Sequence, residues 1–244
     1  MAAYGNMDKG LPGELVGLTP THQIDSRLAK GAVPFGGLCF GTGDGEQVTA
    51  KGEGALLGIA ARTALDTPEY VDGEAVNVCR TGKIFGTAGE AVSADAEVSV
   101  NASTGKIVAK TSAAAGAKRT VTITLAGISA AEKVVTVTVG DKVAQVATKT
   151  GTVAAADVAA ALKAELEKLD IPFVASVDSA VVTLTAKEKG AAANDIAVTG
   201  STTDSTQTVT VANGTSGSDV VLNPGWFARS TAEAANDLVI VDLG

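Results

Sequence analysis

Residues 76–85 read VNVCRTGKIF, and residues 98–108 read VSVNASTGKIV. The second stretch restates the first: two valines one residue apart, a turn, then Gly-Lys-Ile entering the next run. Val76 and Val78 share one face of an extended chain, as do Val98 and Val100, which is the period-two signal of a half-buried strand. Thr81-Gly82 and Ser103-Thr104-Gly105 carry the glycine that tight turns need. Two successive hairpins of like construction predict a small antiparallel β-barrel, because closing a sheet removes its open edges.

Working outward, short apolar runs at 35–40, 56–63, 74–80, 83–87, 97–101 and 106–110 read as strands, and two more at 225–230 and 238–243 return the chain to the same barrel. Residues 1–34 differ. Tyr4, Leu11, Leu15, Val16, Leu18 and Ile24 are isolated among glycines, prolines and polar residues, with no sustained period. This segment is expected to be an extended arm that either lies across its own domain or reaches a neighbour.

Composition shifts at residues 112–117, SAAAGA, and shifts back at 214–218, GTSGS, the two hinges expected of an insertion. Between them, 119–126 and 133–139 alternate Thr with aliphatic residues and read as two strands joined around Gly127. Val158, Leu162, Leu166 and Leu169 then fall on one helical stripe, with Thr152 as N-cap and Pro172 as the stop. Strands at 173–177, 181–186, 195–199 and 208–212 follow, the first two joined at Asp178-Ser179. The expected fold is mainly β. A small antiparallel β-barrel spans 35–112 and 218–244, behind the arm at 1–34. A small α+β module of order strand-strand-helix-strand-strand is inserted at 113–217, on the surface, where insertions are best tolerated.

The chain has 19 Lys and Arg against 27 Asp and Glu, a formal charge of −8, so it lacks the clustered cations that direct nucleic-acid binding requires. No apolar stretch reaches the ~20 residues of a membrane-spanning helix, and the first residues, MAAYGNMDKGLPGEL, lack the pattern of a secretion signal. Synthesis in a cytoplasm is expected, with no membrane partner. Aromatic residues are only 3% of the chain, which argues against a large ring-lined pocket.

The search for chemistry returns little. His22 is the single histidine and no nucleophile motif accompanies it. Cys39 and Cys79 sit in apolar runs far from the paired spacing of zinc ligands. They read as buried thiols, with a disulfide between them left open. Residues 41–46, GTGDGE, match neither phosphate-loop pattern and read as a hairpin tip, whose Asp44 and Glu46 lack EF-hand spacing. Asp66, Glu69, Asp72 and Glu74 read as a solvated loop. No enzyme activity, cofactor or metal site is expected.

Taken in order, residues 32–42 (AVPFGGLCFGT), 57–62 (LGIAAR), 73–86 (GEAVNVCRTGKIFG), 91–106 (AVSADAEVSVNASTGK) and 225–243 resemble the barrel of phage capsid cement, or decoration, proteins. The likeness runs from about Thr21 to Lys110 and from Asp219 to Gly244. It implies a structural protein of the virion, a homotrimer on the outer surface of the capsid that holds adjacent subunits of the major capsid protein together. Residues 181–198, VVTLTAKEKGAAANDIAV, resemble the small α+β or Ig-like modules inserted in phage tail sheath and other virion proteins.

On that reading, Tyr4, Leu11, Leu15 and Ile24 of the arm, with Arg27 and Phe35, are the candidate capsid or trimer contacts. The bland alternative is that these side chains cover the barrel. Two rival functions stay open: an adhesion module binding host glycans or proteins, and a tail tube or sheath component. Phe173 is the one aromatic residue in the insertion, which counts against a sugar platform.

Overall fold

Leu38, Cys39 and Phe40 are consecutive and all buried, yet they belong to two cores: Leu38 and Phe40 to one, Cys39 to the other. Such a run marks a strand covered on both faces. The computed structural model describes residues 10–17, 22–52, 54–63, 67–129, 132–148 and 153–244. They divide into two units, Met1–Ala115 with Val220–Gly244, and Gly116–Asp219.

The first unit begins with β1 (Gln23–Ala29) and β2 (Val33–Pro34), then β3 (Leu38–Gly41), β4 (Gln47–Thr49) and β5 (Leu56–Ala60). After these come β6 (Glu69–Tyr70), β7 (Ala75–Thr81), β8 (Lys83–Thr87), β9 (Val98–Asn101) and β10 (Lys106–Ala109). A closed five-stranded barrel has the order β1-β4-β3-β5-β7, while β2 pairs with β6 in a separate ribbon. The pairs are antiparallel except β1 with β4, which is parallel, so the barrel is not antiparallel throughout. Its interior holds Ala29, Val33, Phe35, Cys39, Tyr70, Val76 and Val78.

Two sequence expectations change here. Residues 23–34 are not arm: Gln23–Ala29 is the first barrel strand, in register with β7 from Gln23↔Thr81 to Leu28↔Ala75. The strand is disguised because its apolar Ile24 and Leu28 are exposed while Asp25 and Arg27 take the inner positions. Nor is 76–85 a hairpin. β7 belongs to the barrel and β8 to a three-stranded sheet, and Gly82 alone joins them. A hairpin needs a loop of at least two residues, so the chain turns a corner instead. The echo at 98–108 is a true hairpin, Asn101 opposite Lys106.

After β11 (Ala114–Ala117) the second unit contributes β12 (Thr120–Ala126), β13 (Ile128–Ser129), β14 (Val134–Val139), β15 (Lys142–Ala147) and β16 (Val153–Ala154). Helix α1 (Ala155–Glu167) follows, then β17 (Phe173–Asp178), β18 (Val181–Ala186), a 3-10 turn (Ala191–Asp195), β19 (Val198–Thr202) and β20 (Thr208–Asn213). The sheets run β17-β18-β12-β20 and β15-β14-β19, with the short pair β13-β16. Val158, Ala159, Leu162 and Leu166 of α1 are buried in a core with Val121, Ile123, Val137, Phe173 and Leu184. Ala154 holds the N-cap position, where Thr152 was expected; Thr152 lies outside the described residues.

The strands at 120–126 and 134–139 are not partners around Gly127 either. β12 pairs with β18 and β20, and β14 with β15 and β19. The chain then returns as β21 (Ser218–Leu222), β22 (Phe227–Ala228) and β23 (Leu238–Asp242). β23 lies between β22 and β8, and β21 between β9 and β11. These strands close the larger core of the first unit, where Leu38, Phe40, Ile59 and Cys79 from the outer barrel wall meet Ile84, Val98, Trp226, Val239 and Val241.

Trp226, the single tryptophan, is in the first unit, and α1 is in the second, so two optical signals report the two cores separately. Leu162→Ala is expected to lower stability read from helical circular dichroism by about 2–5 kcal/mol, leaving the Trp226 fluorescence midpoint in place. Cys39 and Cys79 are unbonded and lie in different cores. Burial pushes their thiols up, Cys39 from 9.0 to about 12 and Cys79 to about 11. The folded protein should therefore resist a thiol reagent at pH 8 and expose both thiols once unfolded. Above an ordinary thiol pKa the unfolded chain loses these protons first, so their contribution to stability should fall as pH rises from about 9.

Candidate docking surface

Residues 10–17 lie along β8. Gly13 N–H donates to Phe85 O at 2.8 Å, Phe85 N–H to Glu14 O at 3.0 Å, and Val16 N–H to Lys83 O at 2.8 Å. Gly13 is at φ 75°, and a Cβ there would meet Ala60 O at 2.6 Å, Arg62 N at 2.8 Å and Gly36 N at 2.8 Å. No other residue fits between those backbones. This part of the expected arm is thus stitched to its own unit. Leu15 is a staple, bridged to Ile84 and packed on the larger core, whereas Leu11 is exposed beside the turn that Glu14 closes. Tyr4 lies outside the described residues.

Ile24 and Leu28 are 44% and 43% exposed on the outer face of β1. Leu28 lies directly opposite the exposed Ala75, and Ser26 opposite Asn77, to which its hydroxyl donates at 3.2 Å. Exposed Val71 sits in a turn anchored to the end of β1: Ala29 N–H donates to Glu74 O, Gly73 N–H to Ala29 O, and Gly31 N–H to Asp72 Oδ1. Beside Leu28 is a shallow hollow of about 340 Å³ lined also by Arg27, Gly45, Glu46 and Ala75. Leu28 and Ala75 thus form a small apolar spot beside the hollow, with Ile24 further along the same face beyond Ser26 and Val71 in the adjoining turn. Leu28, Val71 and Ala75 were not singled out from the sequence, although the alternation Ile24, Ser26, Leu28 carries the signal.

Arg27, on the other face of β1 and half-buried, lines the hollow from its side. Its guanidinium donates to Gly45 O and lies 3.4 Å from Asp25, which also accepts from Arg80 at 2.9 Å. Partly exposed pairs of this kind are worth ~0–1 kcal/mol, so they orient Arg27 more than they stabilise the fold. Phe35 is the clear correction. It is 2% exposed inside the barrel, edge-on to Tyr70 with ring centroids 4.9 Å apart, and Arg62 lies 5.1 Å over its ring. Tyr70 donates to Ala61 O at 2.6 Å, and burial pushes its hydroxyl pKa up against the opposing hydrogen bond from Asn77 N–H. A residue so enclosed fills a core and offers nothing to a partner.

Elsewhere the chemistry is structural. His22 Nε2 lies 3.1 Å from Lys83 O and its ring covers Gly82, bracketing the corner between β7 and β8. The loop at 41–46 is a hairpin tip joining β3 to β4. Asp44 Oδ1 accepts from Gln47 N–H, Glu46 N–H and the Thr42 hydroxyl, and these bonds lower its pKa. Among the described residues no three His, Cys, Asp or Glu side chains converge as metal ligands. A wider open hollow of about 590 Å³ beside Leu56, Arg80, Leu222 and Trp226 presents no acid–base pair.

The model of a phage family described as "Structural cement protein (E217 gp24/Pam3 gp6)" matches residues 2–135, more than half of the 244. No curated protein matches the chain. The match takes in every strand of the closed barrel and ends at the second residue of β14, without reaching the strands that complete the first unit. That family is a structural one, placed on the phage capsid. With more than half its length matched, the chain belongs to the phage structural cement protein family.

Proposed function

We propose that this protein docks on the outside of the phage head as a homotrimer, and that it stabilises contacts between subunits of the major capsid protein. The observation that carries the reading, beyond family membership, is the apolar spot of Ile24, Leu28, Val71 and Ala75 on the outer wall of the first unit. Exposed aliphatic side chains grouped on a rigid strand are what a docking contact needs. Leu11 and Tyr4 are further candidate contacts, and Arg27 with Glu46 lines the hollow beside Leu28.

Magnitude argues for several copies acting together. A few half-exposed side chains at ~25 cal/mol per Å² fall short of the ~4–15 kcal/mol that association costs, so a single spot binds weakly. Three spots on one rigid trimer raise avidity by ~10² to 10⁴-fold. Adhesion to glycans through the second unit finds little support, since its one aromatic ring, Phe173, is buried.

The first measurement is the mass in solution by light scattering, which should be that of a trimer; a monomer at every concentration refutes that part. Empty heads of the same phage lacking this protein are then mixed with the wild type and with the double variant Ile24→Lys, Leu28→Lys. The wild type should co-sediment and raise the heat resistance of the heads. The variant, unchanged in its unfolding free energy to within about 0.5 kcal/mol, should stay in the supernatant. Wild-type levels of bound variant would sink the assignment of this face.

A further inference from the structure

One of the edge strands of the second unit, β17, exposes aliphatic side chains without the usual protection. β17 pairs only with β18, at the end of the sheet β17-β18-β12-β20. From Phe173 to Val177 it reads FVASV, with no charge and no proline; Pro172 precedes the run and Asp178 ends it. Val174 is 58% exposed and Val177 is exposed too. By contrast β15, an edge of the other sheet, opens on Lys142 behind Asp141, the charged blunting that edges normally carry.

The geometry of the strand fixes what its edge offers. A two-residue loop, Ser179-Ala180, joins β17 to β18, so Asp178 and Val181 close the hairpin. Bonded pairs alternate from there, Ser176 with Thr183 and Val174 with Thr185, which turns the N–H and C=O groups of Phe173, Ala175 and Val177 toward the open side. Lys187 N–H donating to Pro172 O continues that alternation. Among the described residues, nothing in the chain accepts from or donates to those outward groups.

We propose that two copies of this protein pair edge to edge through β17, antiparallel and two-fold symmetric, with Ala175 opposite Ala175 of the second copy. This register sets Phe173 opposite Val177 of the second copy and satisfies all the outward backbone groups at once. It also sets Val174 beside Ser176 of the second copy on the exposed face, where both can be covered. The occupant is a second copy because the edge is self-complementary: a short, uncharged strand offers the same donors and acceptors read in either direction.

The contact is small by design. A strand of 6 residues is far below the roughly 20–30 residues a side of a stable interface, so dilute protein does not pair this way. Copies held on one shell meet at the ~mM effective concentration that tethering supplies, and there the edge links neighbours. This last step rests on the docking reading; the pairing itself does not.

The test uses two single-cysteine additions to the full chain, Val174→Cys and Ser176→Cys, mixed at about 1 mM without heads and oxidised with copper phenanthroline. Opposite Cβ atoms in the proposed register are about 4.5–5.5 Å apart and diagonal ones about 7–8 Å, so only the opposite pair suits a disulfide. Cys39 and Cys79 are buried and should stay silent. The mixture should give severalfold more disulfide-linked dimer than either variant alone, and adding Val174→Lys to the Ser176→Cys partner should remove the excess. Equal yields from the mixture and the single variants overturn the proposal, whatever the heads do in the docking assay.

Discussion

One residue, Gly82, stands between β7 and β8, and everything about the first unit follows from how little that is. At φ 99°, with the His22 ring where a Cβ would be, it cannot lengthen into a hairpin loop and cannot be replaced without displacing the ring. The chain must leave the barrel at that corner. Strand β8 then needs a partner that the local sequence does not supply, and β23, from the last residues, fills the place, with Leu243 N–H donating to Gly82 O. A corner near residue 82 thereby obliges the C-terminus to come back.

That return constrains the insertion. About a hundred residues separate the strands of one core, so the inserted unit must begin and end at neighbouring points. Its own residues arrange this. Thr120 N–H donates to Thr215 O, Gly214 N–H to Thr120 O, and Asn194 exchanges two bonds with Gly217. Arg119, buried at the same place, donates to Ala193 O and Ile196 O and to Asn213 Oδ1. A buried guanidinium served by neutral acceptors is costly to desolvate, and what it secures is position: the first strand of the unit is tied to the segment through which the chain leaves.

Much of this was legible in the residues. The alternating valines of 76–78 and 98–100, the Thr-aliphatic alternation of 120–126 and the stripe Val158, Leu162, Leu166 have one buried face each, and period alone reveals it. What escaped were the places where local pattern and tertiary role diverge. β1 carries its large apolar residues outward, so it reads as an arm. β15, KVAQVA after Gly140-Asp141, has a turn signal but exposes Val143, and its alternation is weak. Phe35 was a candidate contact, but Pro34, Gly36 and Gly37 bend the chain around it so that the ring enters the barrel against Tyr70, a tertiary placement that local sequence does not carry.

The same divergence explains why the proposed docking surface was only half visible. Exposed apolar residues are ordinary when scattered, and meaning comes from their grouping. Ile24 and Leu28 are grouped by the β1 strand, which sequence can propose, but Ala75 joins Leu28 only through the register with β7, and Val71 only through the turn that Asp72 and Glu74 tie to the end of β1. In a chain of net charge −8, copies repel at long range, yet at physiological salt that repulsion is screened beyond about 8 Å. Contacts made by small neutral spots are then limited by local fit rather than by overall charge, and on the proposed docking their strength grows with the number of copies that engage at once.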